Sequence, residues 1–328
     1  MLTEARVEWL RDSDPALRWQ VERDLLHEPP EVWEATRARI ATEGFGARLL
    51  AAQDADGQWA GGAFFPADFD SQGPEAADGA GQPWTATTWS LDSLREWGLD
   101  SSVLRERRTA ELLAENCRWE YEDLPYWGGE VDCCINAKTL ATGLWLGADV
   151  GGIVDWFLEH RLPDGGWNCE WTAGSTRSSF HSTLNSLTGL LAYDKATGGT
   201  DATRAARRAG EEYLLQRALL RRLSTGAPVG PWVDHFAYPF RWVYNVLSAA
   251  EYFRQASLLS LSAAAPDHRM ADAIDLIRKA RQPDGTWLRG ISHPGRVWFD
   301  VDAPDGEPSK WLTLFGTRVL DWWDSSTG

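Results

Sequence analysis

Long apolar runs are missing from this 328-residue chain. No stretch of about eighteen consecutive apolar residues occurs, so no membrane span is expected. The opening residues, MLTEARVEWLRDSD, lack the basic-then-apolar order of a secretory signal, which points to a cytoplasmic protein. Basic charge is also scarce: 32 Lys and Arg stand against 48 Asp and Glu, a formal net charge of −16. A chain this acidic repels phosphate backbones and anionic bilayers, so nucleic acid and lipid surfaces are poor partners. Cysteine is limited to Cys117, Cys133, Cys134 and Cys169. In a cytoplasmic setting these are better read as thiols or metal ligands than as a disulfide framework.

What the chain has in excess is tryptophan, 20 residues spread along its whole length. Such spacing suggests a repeated unit that uses one tryptophan each time. QDADGQW (53–59), RLPDGGW (161–167) and RQPDGTW (281–287) are three copies of one phrase. Asp-Gly supplies a turn with positive φ, and the tryptophan after it can cover the end of the preceding helix.

Between these phrases run segments rich in Thr, Ser, Ala, Leu and Trp, at 83–97, 135–147, 181–193, 240–253 and 310–323, with a more charged forerunner at 15–26. Their low charge predicts helices buried on most sides. More charged amphipathic stretches near 31–53, 101–117, 150–161, 201–222 and 267–281 suit an outer layer. Alternating inner and outer helices predict an all-α fold without a β core, a single (α/α)6 toroid domain over 1–328.

The DG-x-W phrases resemble the QW-type repeats of squalene and oxidosqualene cyclases, and the helix layout resembles the superfamily of terpenoid cyclases and protein prenyltransferase β subunits. Prenyltransferase β subunits hold a catalytic zinc with an Asp-x-Cys pair starting one inner helix and a histidine starting the next. VDCCI supplies Asp132 and Cys134, and SSFHSTLNSLTGLLAY (178–193) supplies His181 followed by Gly189 and Leu190. The resemblance therefore implies zinc held by Asp132, Cys134 and His181. The placement has a physical basis, because helix N-termini that converge on one rim favour anionic ligands, and a mixed O, S and N set suits zinc with one position left open. Cys133 is then expected to point away and pack in the core, as is Cys117, whereas Cys169 in GGWNCEW is either a replacement ligand or a loop thiol.

Two departures shape the functional expectation. The stretch LPYWGGEV ahead of the Asp-x-Cys pair has no Lys or Arg where the prenyltransferases grip a diphosphate. The Asp-x-Asp-Asp acid of class II terpene cyclases is absent as well, since ADFDS (67–71) and EVDCC (130–134) lack adjacent aspartates. The expectation is a zinc-dependent enzyme acting on a small, largely apolar, isoprenoid-like substrate, with no α subunit as partner. His235, Glu130, Tyr238 and Arg241 are the candidate catalytic side chains, His235 foremost because PWVDHFAYPFRW surrounds it with aromatics. The alternatives are a metal-independent cyclase or isomerase with an Asp proton donor, or a non-catalytic binder of hydrophobic ligands.

Overall fold

The computed structural model describes residues 3–259 and 265–327. In chain order the α-helices are α1 (Glu4–Arg11), α2 (Pro15–Asp24), α3 (Pro30–Ala38), α4 (Gly44–Ala51), α5 (Thr87–Trp97), α6 (Ser101–Glu106), α7 (Thr109–Asn116), α8 (Cys133–Leu146), α9 (Gly151–Glu159), α10 (Phe180–Thr197), α11 (Asp201–Leu215), α12 (Val246–Ser257), α13 (Ala271–Ala280) and α14 (Lys310–Thr327). Among the described residues the sheet is confined to β1 (Trp287–Leu288) and β2 (Pro308–Ser309), antiparallel, with Trp287 opposite Ser309. The fold is all-α, as the sequence predicts. None of the described helices is long and apolar enough to cross a membrane.

The chain divides into two compact units. The first comprises Met1–Glu130, Lys138–Gly151 and Ser292–Asp302; the second comprises Val131–Ala137, Gly152–Ile291 and Ala303–Gly328.

The Thr- and Ser-rich helices can be buried because their hydroxyls bond to carbonyls one turn back. In the first unit Thr142 Oγ1 donates to the Lys138 carbonyl at 2.8 Å and Ser93 Oγ to that of Trp89 at 2.8 Å. Each such bond satisfies a group whose burial would otherwise cost about 1–3 kcal/mol. The charged helices behave differently. On α13, Ala273, Ile274 and Ile277 are buried, whereas Asp272 and Asp275 face solvent.

Two buried carboxylates are each held by two basic side chains. In the first unit Asp92 on α5 accepts from Lys138 and from Arg95, the latter at 2.9 Å. In the second, Glu251 on α12 accepts from Arg318 of α14 at 2.7 Å and from Arg254 at 2.9 Å.

All three DG-Trp phrases build one device. Gly57, Gly165 and Gly285 adopt φ of +90°, +106° and +90°, which only glycine takes without strain. The indole N–H of Trp59, Trp167 and Trp287 then donates to the carbonyl ten residues earlier, in the last turn of the preceding helix: Leu49 at 2.8 Å, Phe157 at 2.9 Å and Ile277 at 2.9 Å. The backbone N–H of each tryptophan donates to a threonine hydroxyl of α5, α10 or α14, namely Thr87, Thr183 and Thr313, at 3.1, 3.2 and 3.2 Å. One buried indole thus ties two helices to one turn.

Candidate metal centre

Three helix beginnings in the second unit supply the site. At the entrance to α8 the carbonyl of Asp132 accepts from the Asn136 N–H at 2.9 Å, which makes Asp132 the cap and Cys133 and Cys134 the first two helical residues. Cys169 opens a short 3-10 helix, Cys169–Ala173, whose cap Asn168 accepts from the Glu170 N–H through its side chain at 3.0 Å. That helix starts two residues after the Trp167 clamp and so inherits its position from the DG-Trp turn. The third beginning is that of α10, where Ser179 caps the N–H of Ser182 at 3.0 Å. Trp171 secures the arrangement by donating its indole N–H to the Val131 carbonyl at 2.8 Å.

The ligand atoms of Cys133, Cys134 and Cys169 all lie within 4.8 Å of one another. Cys169 Sγ is the hub, 3.3 Å from Cys133 Sγ and 3.4 Å from Cys134 Sγ. The hydroxyl of Ser182 accepts the Cys169 N–H at 3.1 Å and donates to Cys169 Sγ at 3.4 Å. Cys133 is fully buried, while Cys134 and Cys169 are half-buried.

The contacts with Cys133 and Cys134 hold Cys169 well below the ordinary thiol range. Burial raises Cys133, and the contact with Cys133 raises Cys134. The trio is a set able to deliver three sulfur donors once its protons leave. Cys117, alone in the first unit, is pushed up to about 12 by burial and has no comparable environment.

Of the expected ligands Asp132, Cys134 and His181, only Cys134 belongs to this set among the described residues. Asp132 precedes α8, and its main-chain carbonyl accepts the Asn136 N–H. His181 sits in an aromatic surround, with ring centroids 4.4 Å from Trp232 and 5.6 Å from Trp242. Its Nδ1 accepts the Tyr244 backbone N–H at 2.9 Å, which places the proton of the neutral ring on Nε2 and removes that lone pair from metal binding. Burial lowers His181 to about 4, so the ring is neutral at physiological pH. Cys133, expected to point away, faces the hub instead. Consecutive residues in a helix's first turn can straddle a point lying off its end.

The expected catalytic residues have other surroundings. His235 pairs through Nε2 with the Ile291 carbonyl at 2.6 Å. Tyr238 is buried and stacked on Trp311 with centroids 4.3 Å apart. Arg241 occupies a positive φ of 56° on the segment leading to α12, and Glu130 is buried in the first unit.

No family profile matches the chain, and no curated protein does. Among solved structures the chain is similar to a protein from Actinoplanes, at 16% identity and a TM-score of 0.44, over 96% of this chain and 91% of that one.

Proposed function

We propose that Cys133, Cys134 and Cys169 bind zinc, and that the protein is a zinc-dependent enzyme of the terpenoid cyclase and prenyltransferase superfamily acting on a small, largely apolar substrate. The metal half is carried by the convergence of three thiols, two of them partly exposed, on one point. Sulfur donors favour zinc, cuprous copper or iron–sulfur clusters over hard cations. Tetrahedral zinc about 2.3 Å from each sulfur would hold the sulfurs roughly 3.8 Å apart. The observed 3.3 and 3.4 Å separations reach that spacing by a sub-ångström opening. The N-terminal ends of α8 and of the Cys169 helix favour thiolates, and Ser182 orients Cys169.

When bound, zinc in a three-sulfur set offers a fourth position at which an exogenous ligand is activated. The substrate half rests on the DG-Trp repeats and the family they resemble, together with the lack of Lys or Arg in LPYWGGEV. Calorimetric titration of zinc-loaded protein with farnesol and with farnesyl diphosphate tests it. Farnesol is expected to bind more tightly. Micromolar binding of the diphosphate, lost in Arg241→Ala, would assign a prenyl-diphosphate substrate instead, and binding of neither would remove the isoprenoid reading.

A further inference from the structure

We infer that Cys169 is a redox-modification site, forming a reversible disulfide with one of the two cysteines that open α8. The inference goes beyond the zinc proposal: it uses the same three sulfurs and holds with or without metal. Two sulfurs stand 3.3 and 3.4 Å from Cys169 Sγ, on the first residues of α8 and at the start of the Cys169 helix. A disulfide needs about 2.05 Å between sulfurs, so closure requires side-chain rotation that brings the two sulfurs together by roughly 1.3 Å in all. Cys134 and Cys169 are half-buried, which gives a small oxidant access, while Cys133 is buried.

The geometry also selects the pair. Adjacent residues have Cα atoms about 3.8 Å apart across a trans peptide, shorter than the roughly 4.4–6.8 Å that a relaxed disulfide spans, so a Cys133–Cys134 bond is disfavoured. Cys117 belongs to the first unit, is fully buried, and is not a member of the cluster. Cys169 is thus the required member of any unstrained bond.

With a peroxide as oxidant, the Cys169 sulfur attacks one peroxide oxygen, the O–O bond breaks, one water leaves, and a sulfenic acid forms. The sulfur of Cys133 or Cys134 then attacks that sulfenic sulfur, the S–O bond breaks, and the departing hydroxide takes the thiol proton as a second water. Two thiols lose two electrons, and one peroxide is reduced to two waters. A dithiol reductant reverses the change by exchange. Where zinc is bound, the disulfide removes two of its three sulfur donors and releases it; this consequence alone rests on the zinc proposal.

The test is run on metal-stripped, folded protein treated with one equivalent of hydrogen peroxide, quenched in denaturant and titrated for thiols. The four thiols of the chain are expected to fall to two and to return to four with dithiothreitol. Tryptic mapping is expected to show the peptide 162–177 joined to 119–138, which carry Cys169 and the Cys133–Cys134 pair respectively. Cys169→Ser should show no intramolecular link. Retention of four thiols, a bond confined within 119–138, or Cys169 recovered as sulfinic acid without a link would overturn the inference. Because the wild-type map decides the pairing, a misfolded variant leaves the test intact. Because the arm is metal-free, failure to bind zinc and failure to form the disulfide are separate results.

Discussion

The second and third DG-Trp turns are the same device with different sequels. Trp167 and Trp287 are both buried, donate to a carbonyl ten residues back at 2.9 Å, and bond through the backbone N–H to a threonine at 3.2 Å. Each also lies against a glycine of a neighbouring helix: a Cβ at Gly210 would come within 2.8 Å of the Trp167 ring, and one at Gly316 within 2.7 Å of the Trp287 ring. Two residues beyond the tryptophan they diverge. Trp287 itself begins β1, which pairs antiparallel with β2, and Arg289 donates to the Ala303 carbonyl at 2.7 Å. After Trp167 it enters a 3-10 helix whose first residue is the sulfur hub. The clamp thus tolerates either a strand or a helix on its C-terminal side.

Breaking the clamps should have the largest effect. Trp167→Ala and Trp287→Ala are each expected to cost about 3–5 kcal/mol in denaturant unfolding, because a buried indole and its hydrogen bond are lost together. If the two turns are equivalent, their losses agree within roughly 1 kcal/mol. Only Trp167→Ala should also weaken metal binding, since only that turn carries Cys169. Equal damage to metal binding by both would show that the third turn shapes the site too.

Acid separates the two turns next. The third turn is tied to α14, which is held to α12 by Arg318 and Glu251. Burial would raise Glu251, but the charges of Arg318 and Arg254 outweigh it and hold the carboxyl at about 2, below its ordinary 4.5. The folded state therefore favours the carboxylate. Its stabilisation is fully present above about pH 4.5 and is lost as pH falls toward 2, by about 3 kcal/mol at most. Amide exchange across a pH series should show α14 opening in that window, with the loss absent in Glu251→Gln. A wild-type profile flat from pH 5 to 2 would show that the ion pair does not hold α14.

A smaller effect is expected at Ser182, whose hydroxyl bridges the Cys169 N–H and sulfur. Ser182→Ala should lower zinc affinity about tenfold in competition with a chromogenic chelator, with little change in stability. Affinity unchanged within about twofold would show that the backbone alone orients Cys169.

The helical architecture is legible in the sequence because its signals are local. The Asp-Gly turn, the tryptophan after it and the low charge of the Thr- and Ser-rich segments lie within a few residues of one another, and the segments predicted at 135–147, 181–193 and 310–323 correspond to α8, α10 and α14. The site is legible in part. Cys134 stands out as a candidate ligand from its place at a helix start, and Cys169 in GGWNCEW is open to reading as ligand or loop thiol. The deciding contacts are non-local. His181 is withdrawn by a backbone N–H from Tyr244, 63 residues away, and Cys169 is brought to α8 by a clamp whose threonine sits on α10. Cys133 departs from expectation for another reason: helical periodicity separates adjacent side chains along a helix, yet at its first turn both can reach a group beyond the end.

Three-sulfur zinc binding is tested most directly by the zinc content of protein purified without chelators, measured by plasma emission spectrometry for the wild type, Cys169→Ala and His181→Ala in parallel. It predicts one zinc per chain in the wild type, near-complete loss in Cys169→Ala, and retention in His181→Ala. Zinc that survives Cys169→Ala but vanishes in His181→Ala, or a wild type that carries none, would contradict it.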